Sequence, residues 1–160
     1  MAISHSFSIA TAMPPGDVAH ALKTIGGDAG LFTAAVTPES LLDPGAVSER
    51  GTWIRVVATR PQPWSPVVTD LGIMPSVRVA FVFDKEADLS GQEDDVITVV
   101  AGLLRQVPGD AVLLFHDETI WLLRRGDDLS LNERNDLWPP RRLAVVSQPY
   151  RRATHAFSEE

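Results

Sequence analysis

The chain has 160 residues, a length that fits one domain of about 100–200 residues able to bury a core without disulfide or metal support. Hydrophobic residues make up 44% and charged residues 22%, with no cysteine, which fits a globular protein and excludes disulfides, thiolate catalysis and cysteine-based zinc sites. A net charge of −7, from 21 acidic and 14 basic residues, argues against a nucleic-acid partner, because phosphate binding needs a basic footprint.

Met1 to Phe7 carries no Lys or Arg ahead of an apolar core, so it is not expected to be a signal peptide. No apolar run approaches the ~18 residues that span a bilayer, and the cytoplasm is the expected location. Ile3 to Ala10 alternates apolar and polar residues, the period of a strand. Pro14-Pro15-Gly16-Asp17 opens a helix carrying Val18, Leu22 and Ile25 on one side, with Gly26-Gly27 expected to stop it. Leu31 to Val36 reads as a short strand and Thr37 to Gly51, with Pro38, Pro44 and Gly45, as a loop.

Thr52 to Thr59 is a second alternating strand. Arg60 to Pro66 holds three prolines and cannot be a central strand; its Trp64 is expected to cap the core. Ser76 to Asp84 is the cleanest strand, with Val77, Val79, Phe81 and Phe83 sharing a face. A helix follows from about Gly91 to Val107. Ser90 and Glu93 have capping-box spacing, Glu93-Asp94-Asp95 suits a first turn, and Val96, Val99, Val100, Leu103, Leu104 and Val107 form its apolar stripe.

Ala111–Phe115 and Ile120–Arg124 read as a hairpin closed by His116-Asp117-Glu118-Thr119. Arg125-Gly126-Asp127-Asp128 is a further turn into a short strand at Leu129–Asn132. Pro139-Pro140 forbids a helix interior but allows a short helix to start after it. The fold class that results is α+β: a single domain over residues 1–160, with a mostly antiparallel sheet and two main helices packed on one face. The sheet's other face must be exposed, covered by the Pro-rich loops, or bound to a partner.

No G-x-S-x-G, H-E-x-x-H, Walker or Rossmann pattern is present. Gly26-Gly27-Asp28-Ala29-Gly30 follows a helix instead of opening one, so it reads as a flexible loop and not as a phosphate cradle. His116 beside Asp117 and Glu118 has the makings of a base or metal ligand, but a turn accounts for the same residues. No cofactor or metal is called for, and no catalytic residue is singled out. Acids dominate between Asp70 and Glu118, whereas Arg124 to Arg152 holds half of the basic residues. Trp121, Trp138 and Tyr150 stand among these arginines, a composition that suits either a protein interface or an internal cation–π brace.

Several stretches carry a family resemblance: Leu71-Gly72-Ile73-Met74-Pro75-Ser76-Val77-Arg78-Val79, Gln92-Glu93-Asp94-Asp95, Val107-Pro108-Gly109-Asp110-Ala111-Val112-Leu113, Trp121-Leu122-Leu123-Arg124-Arg125, Leu137-Trp138-Pro139-Pro140-Arg141-Arg142-Leu143-Ala144 and Pro149-Tyr150-Arg151-Arg152-Ala153-Thr154. Together they resemble the Sit-type immunity proteins of bacterial polymorphic toxin cassettes, over roughly the last 90 residues and the first strand. The resemblance implies a non-catalytic cytoplasmic antidote whose partner is a cognate protein toxin, with no nucleic acid or membrane involved. If that toxin is a nuclease with a basic cleft, Glu93, Asp94, Asp95, Asp117 and Glu118 are the expected contact set. The alternatives are a small hydrolase or nuclease built on His116, and an adaptor or secretion chaperone.

Overall fold

The computed structural model describes residues 3–116 and 118–158. One eight-stranded sheet runs through it in the order β2-β3-β4-β1-β5-β6-β7-β8. The strands are β1 (Ser4–Ile9), β2 (Ala46–Val47), β3 (Trp53–Ala58), β4 (Val77–Val82), β5 (Ala111–Phe115), β6 (Thr119–Arg125), β7 (Asp128–Leu131) and β8 (Arg151–Arg152). The helices are α1 (Pro15–Asp28), α2 (Pro38–Leu42), α3 (Pro66–Thr69), α4 (Leu89–Gln106) and α5 (Pro140–Leu143). Every pairing is antiparallel except that of β7 with β8. The expected α+β architecture is therefore present, with β1 central: Phe7 lies opposite Val79 on one side and Leu113 on the other.

Alternation decides which side chains go where. Phe7, Ile9, Ile54, Val56, Val77, Val79, Phe81, Leu113, Leu129 and Leu131 point to one face and bury against α1 and α4. The anticipated stripe Val96–Val107 and the α1 residues Val18, Leu22 and Ile25 supply the helical side of this core. Gly102 lets the two helices approach, since a Cβ there would fall 2.8 Å from Ile25. In β6 the register against β5 shifts between Leu113 and Leu114. That bulge turns Trp121 into the main core.

The second face carries a smaller cluster. Val112, Leu114, Ile120 and Leu123 pack against Val67, Leu71 and Ile73, with Phe157 of the tail alongside. The Pro-rich stretch thus covers the β5–β6 part of this face, through α3 and the residues after it. Trp64 does not cap anything: it is 76% exposed.

Other expectations are corrected. Gly26 and Gly27 do not stop α1, which runs on to Asp28, so the glycine-rich stretch there is helix and cap, not a flexible loop. Gly26 is needed for closeness, because a Cβ there would fall 2.3 Å from the Phe32 ring. Leu31 to Val36 is not a strand; Leu31 and Phe32 plug the core from a turn. The presumed loop Thr37 to Gly51 contains α2 and β2, with α2 closed by a Thr37–Ser40 capping box. Helix α4 starts two residues earlier than expected, and its cap is Asp88, whose carboxylate accepts from the Gly91 N–H at 3.0 Å. Ser90 and Glu93 therefore form no capping box, and Glu93-Asp94-Asp95 lies beyond the first turn.

Candidate functional site

The acidic residues of α4 are organised by arginines from distant parts of the chain. Arg142, only 3% exposed, donates to Glu93 at 3.2 Å and to Asp94. It also donates to the Leu137 carbonyl at 3.0 Å and to the Ser90 carbonyl and hydroxyl at 3.4 Å, and lies over the Trp121 ring, 5.9 Å from the guanidinium carbon. Arg141 donates to Asp94 Oδ2 at 3.2 Å and to Ser90 Oγ at 3.0 Å. Arg50 reaches Asp95 at 3.3 Å and the Gly91 carbonyl at 2.8 Å. Glu93 and Asp94 of the acidic stretch are thus paired with Arg141 and Arg142 of the arginine-rich stretch across α4 and α5. The cation–π brace is realised by Arg142 and Trp121.

Burial raises the Glu93 carboxyl above the ordinary carboxylate range despite Arg142, and burial likewise raises Asp95 despite Arg50. Burial also opposes ionisation of Asp94, but the hydrogen bonds from Arg142 and Arg141 outweigh it and hold its carboxyl below the usual value. All three carboxylates keep a solvent-facing flank, with side chains 28%, 33% and 13% exposed respectively.

Glu118 is exposed in the turn between β5 and β6, and Asp117 lies outside the described residues. His116 takes the left-handed conformation (φ 54°), donates its N–H to the Ser4 carbonyl at 3.1 Å and lies edge-on to Phe115. The β1 register sets this turn beside the end of β4, so Glu118 shares one end of the sheet with the exposed Asp84, Glu86 and Asp88 of the β4–α4 loop. Sequence reading missed these three because the strand was expected to run through Asp84. It also missed Gln92, fully buried, whose carboxamide ties Thr52, the Asp84 backbone and the Asp88 carbonyl together. Its position four residues after the true cap Asp88 is the signal that would have found it.

His5 is the second buried polar feature. It is 2% exposed, packed among Phe83, Phe115 and Trp121, and neither ring nitrogen has a hydrogen-bond partner among the described residues. Burial, with the charges of His116 and Arg142, lowers its pKa to about 3. Ser130 Oγ and His155 Nε2 lie 3.0 Å apart, the pairing of a nucleophile and its base. Ser130 is 2% exposed, so substrate has no access, and the contact pins the tail to β7. Among the described residues no group of three or more His, Asp or Glu could hold a metal ion.

The structure is thus an acidic α+β fold in which Arg50, Arg141 and Arg142 brace α4 and one sheet face is partly open. The model of the SitI3-like family matches residues 3–142, and the chain belongs to that family. No curated protein and no solved structure matches it. The match takes in α1 and residues 37–51, outside the stretches on which the resemblance rested, and ends before Pro149–Thr154. Among the described residues no helix is long and apolar enough to cross a membrane.

Proposed function

We propose that this protein is an immunity protein that binds a cognate toxin one-to-one in the cytoplasm and neutralises it without catalysis. The observation that carries this reading is membership of the SitI3-like family over residues 3–142. The contact surface is the acidic end of the sheet, built from the exposed flanks of Glu93, Asp94 and Asp95 together with Glu118, and enlarged by Asp84, Glu86 and Asp88; Asp117, next to Glu118 in sequence, belongs to the proposed set by its charge alone. Carboxylates gathered at one end of a chain of net charge −7 steer a basic cleft and speed its association.

The test is calorimetric titration with the toxin of its own cassette, at low and high salt. Tight one-to-one binding that weakens with salt is expected. Charge reversal must avoid residues that hold the fold, so Glu86→Lys with Glu118→Lys is the informative pair: both are exposed, and among the described residues neither carboxylate forms an ion pair. Their combination is expected to weaken binding by roughly tenfold or more. Unchanged affinity in the double variant refutes the contact surface, and no binding by the wild type refutes the toxin assignment.

A further inference from the structure

The second face of the sheet is covered unevenly. Over β5 and β6 it is sealed by Val67, Leu71, Ile73 and Phe157. Over β3, β4 and β1 it is not, and Val57, Ala80 and Ser6 stay half-exposed. A groove of about 340 Å³ runs along the boundary, with Ser6, Ser8 and Leu114 among its lining residues and Arg60, Trp64 and Arg78 beside them.

Its chemistry is the reverse of the rest of the molecule. In a chain with 21 acidic and 14 basic residues, no described carboxylate lines this groove. Arg50, Arg141, Arg142 and Arg151 are all engaged by carboxylates. Arg60 and Arg78 are both exposed, and among the described residues their side chains take no hydrogen bond or ion pair. Arg78 stands between Val57 and Ser8 in the strand register, so its guanidinium rises from a surface without competing charge. Trp64 presents most of its indole to solvent, at 76% exposure. Tryptophan and arginine together are the residue types on which interface energy concentrates.

We propose that this groove is a docking site for an extended, acidic segment of a partner protein, whose carboxylates engage Arg60 and Arg78 while an apolar side chain rests on Trp64. The open sheet floor suits an extended chain, and planar guanidiniums take carboxylates in bidentate fashion. This surface lies across the sheet from α4 and has the opposite charge, so it stands apart from the acidic end assigned to the toxin.

The experiment is nuclear magnetic resonance titration of the isotopically labelled full chain. The probes are a blocked decapeptide of alternating Glu and Ser with a central Leu, its Lys counterpart, and an oligouridylate. Saturable shifts are expected for the Glu peptide at low ionic strength, centred on the amides and side chains of Arg60, Trp64 and Arg78, with α1 and α4 unmoved. Arg60→Glu with Arg78→Glu is expected to weaken that binding by roughly tenfold or more. Trp64→Ala, which touches no charge, is expected to weaken it less. All three side chains are exposed, so the variants keep the fold. No saturable shift in the groove, equal binding of the Lys peptide, or tighter binding of the oligouridylate would each overturn the proposal.

Discussion

Replacing His5 by Phe should remove a measurable part of the protein's acid sensitivity. The imidazole is enclosed by three aromatic rings, with no hydrogen-bond partner on either nitrogen among the described residues, so the fold accepts only its neutral form. In the unfolded chain a histidine takes a proton near pH 6.5, whereas in the fold the value is lowered to about 3. Between those limits the unfolded state binds more protons, so stability is intact above pH 6.5 and falls as the pH drops toward 3. At pH 5.5 the unfolded imidazole is about nine-tenths protonated, which costs the fold between about 1 and 2 kcal/mol relative to pH 7.5. Urea unfolding of wild type and His5→Phe at pH 7.5, 6.5 and 5.5 measures this directly, because Phe keeps the ring and loses the titration. Groups shared by both proteins, including the raised Glu93 and Asp95 and the depressed Asp94, cancel in the difference. The gap between the two proteins should shift by that amount in favour of the variant on going to pH 5.5. Parallel profiles would show that His5 is protonated within the fold and refute the reasoning.

Two further substitutions test the packing. Arg142→Met strips Glu93, Asp94 and the Leu137 carbonyl of their shared donor; breaking a buried pair costs about 3–5 kcal/mol, and the partial exposure of both carboxylates argues for the lower end. Chemical denaturation reads this, and adding Glu93→Gln with Asp94→Asn should recover part of the loss; a cost below about 1 kcal/mol contradicts the brace. Gly109→Ala meets two obstacles at once, a φ of 127° and a Cβ placed 1.8 Å from the Ala10 carbonyl oxygen. It should cost at least about 3 kcal/mol in the same assay, and a stability unchanged from wild type would rule out the close approach.

What was legible in the sequence follows from range. β1, β3, β4 and the stripe of α4 repeat at their proper periods and are visible locally. The order of strands, the position of β1 between β4 and β5, and the reach of Arg142 across to Glu93 and Asp94 depend on contacts between distant residues, to which periodicity is blind. Short elements were lost for a different reason. Helix α2 is signalled by Thr37 and Ser40, but it is only five residues long including its proline, too short for a helical stripe. Trp64 misled because a large apolar side chain is presumed buried, whereas here it flanks an open groove. Of the acidic contact set, the charges were readable but not their arginine partners, since nothing local distinguishes a solvated Asp94 from a braced one.

The central position of β1 also has a kinetic side. Its partners are Val77–Val82 and Ala111–Phe115, so during synthesis both of its edges are unpaired until β4 has been made, and the edge that faces β5 stays unpaired until Phe115 has been made. Such non-local pairing slows folding and leaves apolar strand edges open to other chains in the interval. Ser4, Ser6 and Ser8 alternate with Phe7 and Ile9 along this strand, which keeps one of its faces hydrophilic while it waits. A ribosome-bound chain ending before Phe115 accordingly leaves one edge of β1 without its β5 partner, and protection against aggregation at that stage rests on the polar residues of the strand.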